Sequence, residues 1–258
     1  MPSAYLLVSH GSRDPRPQIA MKQLARLIYQ QTANNLSSLA SSNRLTSTRG
    51  SLAYLAKPLV ETACLELSAL PLHQQIIEFS DRALVSGYDR IEIVPLFLLA
   101  GVHVTEDIPI EVEQARAIIG QKIAIDLRSH LGTHPNLVRL LASQMARTTT
   151  DASILIAHGS RRPGAKVAVE KIAQELGAVT GYWAVAPKLA TRVKQLVDIG
   201  HQSIAIVPYF LFAGGITDAI ASHVKELSSQ FPSAHLQLLE PIGASAELAR
   251  LIMDLVKE

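Results

Sequence analysis

The sequence is poor in cysteine. Cys64 is the only one in 258 residues. That excludes an internal disulfide, a cysteine zinc site and a cysteine-ligated iron–sulfur cluster within this chain. Aromatic residues are also scarce, with 1 Trp, 6 Tyr and 5 Phe. No basic-aromatic platform of the kind that stacks single-stranded nucleic acid can be built from them. Charged residues make up 18% of the chain and the net charge is only +2, so no global field calls for a nucleic-acid partner. No stretch approaches the ~18 uninterrupted apolar residues of a membrane span. Met1–Tyr5 lacks a charged leader, and the short apolar run after it breaks at His10. These absences predict a soluble, cytoplasmic protein with neither nucleic acid nor membrane as partner.

What remains is an ordinary globular composition, 48% hydrophobic, with 14 Gly and 13 Pro. The length suits one large domain or two of modest size. An internal repeat decides between them. A-Y-L-L-V-S-H-G-S-R at 4–13 returns as I-L-I-A-H-G-S-R at 154–161. I-V-P-L-F-L-L-A-G at 93–101 returns as I-V-P-Y-F-L-F-A-G at 206–214, and L-G-T-H-P-N-L-V-R-L-L at 131–141 resembles I-G-A-S-A-E-L-A-R-L-I at 242–252. The chain is a duplicated unit.

Within each copy, apolar strands alternate with helical periods. In the first copy the pattern predicts strands at 4–8, 91–99 and 122–127, a short strand followed by a turn over 59–67, and helices at 18–31, 71–86, 110–118 and 134–147. Residues 34–57, rich in Ser, Asn and Thr, predict an inserted polar loop or lid, and 100–109 predicts a loop. The second copy predicts strands at 153–157, 178–184, 203–212 and 235–240, with helices at 165–176, 187–199 and 244–257 and a loop and helix over 213–229. Alternation of this kind gives parallel sheets. The expected fold is α/β: two similar domains, 1–148 and 149–258, each a small parallel sheet flanked by helices. The active site is expected in the first domain, in a cleft between the two.

In an open parallel sheet, ligands bind beyond the carboxyl ends of the strands. His10 follows the first strand and His103 follows the third, through Gly101. First and third strands are commonly neighbours, so the two imidazoles can meet. Imidazole suits borderline divalent ions, and a carboxylate can complete the set. Glu66 and Glu61 are the candidate carboxylates, with Glu106 and Asp107 as further ones. The repeat acts as a control. His10 has a counterpart in His158, but Ile216 stands where His103 would be, and no Asp or Glu lies between Ala178 and Val197. One half keeps a two-histidine site and the other has lost it. His158 therefore reads as structural, as do His73, His130, His134, His201, His223 and His235. Cys64 reads as strand filler. Arg13 and Arg16 are candidates for an anionic substrate, with Arg161 and Arg162 in the other half.

Taken together, V-S-H-G-S-R-D-P, V-E-T-A-C-L-E-L and V-P-L-F-L-L-A-G-V-H-V-T-E-D-I-P resemble the sirohydrochlorin chelatases of the CbiX/SirB group, in their long two-domain form. The resemblance implies a chelatase-like fold and a lyase-type metal chelatase, which inserts Fe2+ or Co2+ into an acidic tetrapyrrole. It implies that His10 is proton acceptor and metal ligand and that His103 is the second metal ligand. Glu66 would contact substrate or metal, and Leu98, Leu99, Ala100, Gly101 and Val102 would line the tetrapyrrole pocket with His103. Arg13 and Arg16 would pair with substrate carboxylates. No cofactor is permanently bound, since the metal is a substrate, and the chain is expected to act as a monomer. Iron is favoured over cobalt, because cobalt-type long members carry a His-rich stretch and a cysteine-ligated cluster near the C-terminus and this chain ends in an ordinary helix. The cobalt enzyme is the alternative. A non-catalytic metal or tetrapyrrole carrier, and a phosphate-handling protein using the His-Gly-Ser-Arg loop, are readings of other classes.

Overall fold

The structure, a computed structural model, describes residues 3–42, 58–162 and 164–257. The first repeat runs β1 (Ala4–Ser9), α1 (Pro15–Ser42), β2 (Val60–Cys64), α2 (Leu72–Val85), β3 (Arg90–Pro95), α3 (Ile108–Ile119), β4 (Ala124–Leu127) and α4 (Leu137–Met145). The second runs β5 (Ala152–Ala157), α5 (Val167–Glu175), β6 (Val179–Tyr182), α6 (Leu189–Asp198), β7 (Ser203–Pro208), α7 (Gly215–Gln230), β8 (His235–Leu238) and α8 (Ala246–Leu255).

Both sheets are parallel throughout. Their strand orders are β2-β1-β3-β4 and β6-β5-β7-β8. The order follows from the chain's own apolar runs. β1 and β3 bury residues on both faces, so they take the central places, where helices cover both sides. Val8 pairs with Pro95, which puts the ends of the first and third strands side by side, as expected.

One compact unit comprises Met1–Thr133 with Ala244–Glu258. On one face of its sheet, Leu6, Val8, Ile91 and Ile93 pack with Leu72, Ile76, Phe79 and Ala83 of α2 and with Ile108, Val112 and Ala115 of α3. α1 buries Met21, Leu24, Ala25 and Ile28, and α8 buries Leu248, Ala249, Ile252 and Leu255. Those residues recur at helical spacing and give each helix one apolar face. Ile19 stands off that face and is 62% exposed.

The other compact unit is His134–Gly243. Its core joins Ile154, Ile156, Ile204 and Ile206 to Leu189 and Val193 of α6 and to Ile220, Val224 and Leu227 of α7. The compact units and the sequence repeats therefore differ in one element each. α4 is counted with the second sheet and α8 with the first, whereas the repeats, and the expected domains 1–148 and 149–258, divide between α4 and β5.

Two expected loops are helical. α1 runs to Ser42, so the first part of the predicted insertion continues the helix. No proline or glycine occurs between Pro17 and Gly50. Ser and Asn cost only a few tenths of a kcal/mol each in a helix that is already nucleated. Residues 43–57 of that insertion lie outside the described residues. The segment after Gly101 forms a π-helical turn, His103–Asp107, that runs straight into α3. Pro109 does not interrupt it, since proline has no N–H to satisfy and sits comfortably in a helix's first turn. Among the described residues, no helix is long and apolar enough to cross a membrane.

One buried charge sits in the first sheet. Glu92 is 2% exposed. Its carboxylate accepts from Arg128 Nε at 2.7 Å and from Ser3 Oγ at 3.2 Å. Removing one partner of such a pair costs far more than the pair contributes. Arg128→Met is expected to destabilise the protein by roughly 3 kcal/mol. Arg128→Met combined with Glu92→Leu should cost clearly less than the single change. Urea unfolding of both variants checks this, and equal losses would contradict it.

Candidate metal centre

The site is assembled by hydrogen bonds that extend the β1–β2 ladder past the ends of the strands. Leu65 N donates to Ser9 O at 2.8 Å, and Glu66 N donates to His10 O at 2.9 Å. The backbone of Glu66 is thereby fixed beside His10. Gly11 makes this crossing possible. Its φ is +99°, and a Cβ there would stand 2.0 Å from the Glu66 carbonyl oxygen. Any other residue fails on both counts. Just beyond the crossing, Leu67 is held at φ +56°, a left-handed conformation that is costly for leucine.

The other wall comes from β3. Leu96 N donates to Val8 O at 2.7 Å, and the chain then runs through Leu98, Leu99, Ala100, Gly101 and Val102 to His103. Gly132 supports this run from beneath. Its N–H donates to Phe97 O at 2.9 Å, and a Cβ on it would lie 2.0 Å from Leu98 O. His103 opens the π-helical turn, a helix defect that recurs at functional sites.

These constraints bring three ligand types together. The rings of His10 and His103 lie 4.8 Å apart between centroids, edge to face at 82°. His10 Nε2 is 3.9 Å from Glu66 Oε2. One ligand atom from each of His10, Glu66 and His103 can be chosen so that all lie within 4.8 Å of one another. Among the described residues, this is the one group of three such side chains that could hold a metal ion. An ion about 2.1 Å from each atom tolerates separations up to about 4.2 Å. The His10–Glu66 distance already fits. The half-exposed side chains of His10 and Glu66, 50% and 51% accessible, need to move only about half an ångström to complete the set.

The second nitrogen of each ring is already engaged. His103 Nδ1 lies 2.7 Å from Asp107 Oδ2, and His10 Nδ1 lies 3.3 Å from Gly11 O. Neither acceptor can donate, so in its neutral form each ring carries its proton on Nδ1 and presents the Nε2 lone pair. A metal-binding histidine typically has this arrangement, with a carboxylate or carbonyl fixing the tautomer from behind. Two imidazoles and a carboxylate on an open face suit iron, cobalt, nickel or zinc and leave positions free for another ligand.

Sequence reasoning brought His10, Glu66 and His103 to this place. It left Glu61 and Glu66 as alternatives, and the structure separates them. Glu61 accepts from Arg82 Nε at 3.0 Å and from Arg82 Nη2 at 2.7 Å, at the far end of β2. Arg13 is exposed near the start of α1. Arg16 is gripped by Asp14, which accepts from its Nε at 3.0 and 3.1 Å. Those bonds hold the Asp14 carboxyl down at about 2. Asp107, one candidate ligand among several, lies behind His103, with its Oδ2 2.7 Å from Nδ1. The spacing His103–Asp107 is i, i+4, and it becomes legible only when the segment is taken as helical. Leu67 gave no signal.

The second unit repeats the construction without the ligands. Trp183 N donates to Ala157 O at 2.9 Å and Ala184 N to His158 O at 2.8 Å, with Gly159 at φ +83°. Ala184 thus occupies the place of Glu66. The same backbone geometry survives where the metal set does not, so that geometry alone does not account for Glu66 and His103.

Duplicated parallel α/β units, one bearing an open two-histidine, one-carboxylate set beyond its strand ends, define a metal-handling protein. The chain belongs to the CbiX family, whose sequence model matches residues 4–148 and again 152–258. It is 27% identical over 220 residues to a sirohydrochlorin ferrochelatase of Priestia megaterium, covering 78% of this chain and 77% of that one. It is 23% identical over 219 residues to a sirohydrochlorin cobaltochelatase of the same organism, covering 79% and 70%. Among solved structures, SirB from Bacillus subtilis with Fe3+ shares the fold, with a TM-score of 0.72 and 24% identity over 100% of this chain and 95% of that one.

Cobalt titration without tetrapyrrole tests the set directly. Glu66→Ala and His103→Ala should each weaken Co2+ binding at least about tenfold, and Asp107→Ala by roughly 10- to 100-fold. His158→Ala should leave it unchanged. Unaltered Co2+ affinity in Asp107→Ala would contradict its role behind His103.

Proposed function

We propose that this chain inserts a divalent metal ion into sirohydrochlorin, with release of two protons. The observation that carries the reading is the His10–Glu66–His103 cluster. It lies in a chain of the CbiX family, whose compared relatives are named for this reaction.

The residues divide the work as follows. Insertion exchanges two pyrrole protons for one ion, so the protein must release the ion and accept protons on the same face. With Nδ1 engaged on both rings, Nε2 is the only free lone pair of His10 and of His103. Ligation and proton acceptance therefore follow one another on the same atom. His10 Nε2 holds the ion, yields it to the ring nitrogens, and then takes a pyrrole proton. A neutral imidazole is suited to this at physiological pH. Glu66 stands 3.9 Å away on the same face. The second proton leaves through His103 or to solvent. Imidazoles hold the ion loosely enough to pass it on, where thiolates would trap softer ions. The chain from Leu98 to Val102 forms the wall beside the macrocycle. Arg13, exposed near the start of α1, pairs with its carboxylates, while Arg16 shares its charge with Asp14.

All three ligands come from one chain, so a monomer suffices, and no permanently bound cofactor is needed because the ion is a reactant. Ferrous iron is the metal proposed, in the reducing cytoplasm. Cobalt is the second reading, favoured by the likeness to the cobaltochelatase, since the ligand set accepts either ion.

Anaerobic absorbance of sirohydrochlorin with Fe2+ or Co2+ decides the matter. The protein should convert the metal-free spectrum to the metallated one, faster with Fe2+. His10→Ala should slow conversion by roughly 100-fold or more while the ring still binds. Binding without any acceleration by the wild type would identify a carrier instead.

A further inference from the structure

The second unit has a pocket of about 600 Å3, lined among others by His158, Tyr182, Trp183, Ala184, Lys188 and His223. It lies where the first unit has its metal set. The extended ladder places Ala184 at the position of Glu66 and His158 at that of His10. The change between the copies is specific. A carboxylate has become Ala184, Leu65 has become Trp183, and a histidine has been gained at 223. No acidic side chain lines the pocket. The His158 ring is exposed and makes no hydrogen bond among the described residues. His223 is held by Glu226, 3.2 Å from its Nδ1, with its ring 6.2 Å from that of Trp183. Lys188 donates to the carbonyl of Trp183 at 2.5 Å.

One free imidazole without a carboxylate is a poor site for a bare ion. It is a sufficient ligand for an ion already held by four ring nitrogens, which needs only an axial donor. The rest of the pocket suits the same guest. The Trp183 indole offers a stacking face, Lys188 offers positive charge to peripheral carboxylates, and His223 adds a polar ring to the lining. We propose that this pocket binds the metallated tetrapyrrole, with His158 Nε2 as axial ligand to its metal. The bond forms by donation of the Nε2 lone pair into the open axial position, and at most a water leaves. The identity of the macrocycle rests on the reaction proposed above, and the assignment of His158 rests on this pocket alone. The pocket would prefer the metallated ring to the metal-free one.

Preformed Co2+-sirohydrochlorin, added anaerobically to the full chain, provides the test. One axial nitrogen splits the Co2+ electron paramagnetic resonance lines into triplets. The triplets are expected with the wild type and with His10→Ala/His103→Ala. His158→Ala should lose them and bind the metallated ring roughly tenfold or more weakly. His223→Ala should keep the splitting. Triplets that persist in His158→Ala, or that vanish in the His10/His103 variant, would overturn the proposal, as would no splitting in the wild type. Because the ring is loaded beforehand, a wild type that fails to metallate would sink the proposed reaction without deciding this one.

Discussion

One hydrogen bond organises the first unit's chemistry. Glu66 N donates to His10 O across Gly11, and the strand-exit loop can lie there only because position 11 carries no side chain. The bond fixes the approach of a carboxylate to an imidazole, and β3 then supplies the second imidazole from the neighbouring strand. The rest of the unit serves that placement. The apolar runs of β1 and β3 make them central neighbours, Gly132 supports the path to His103, and Asp107 sets the tautomer of His103. Backbone constraints position the cluster, while the side chains of His10 and Glu66 stay half exposed. The site is rigid in origin and adjustable at its tips, as befits a metal that must be taken up and given away.

Duplication separates scaffold from chemistry. The second unit keeps the strand order, the crossing bond and the glycine, yet puts Ala184 and Ile216 at the positions of Glu66 and His103. A feature needed for folding should appear in both copies, and these residues do not. Conversely, Trp183 and His223 appear only in the second copy, and they surround a pocket rather than an ion site. The two copies have diverged toward different ligands on one backbone plan.

Much of this was legible in the residues. Alternating apolar runs gave the parallel sheets, the repeated His-Gly-Ser-Arg gave the duplication and placed His10 at a strand end, and the asymmetry between copies pointed to His103 and the glutamates Glu61 and Glu66. Some features were hidden for physical reasons. Pro109 masks the helical turn at His103, because a proline marks a loop and a helix start equally well. The polar composition after residue 33 hides the continuation of α1, since helix continuation depends on the absence of breakers as much as on an apolar stripe. The packing of α4 and α8 is set by contacts distant in sequence, so a repeat boundary does not foretell it. The left-handed Leu67 is imposed by the crossing loop and has no local signature.

The account stands or falls on where the ion sits. Crystals soaked anaerobically with Co2+ and measured for anomalous scattering at the cobalt edge give that position. The account predicts a peak about 2.1 Å from the Nε2 atoms of His10 and His103, with Glu66 as the third ligand. A peak at His158, or bonding through Nδ1 of either ring, would contradict it.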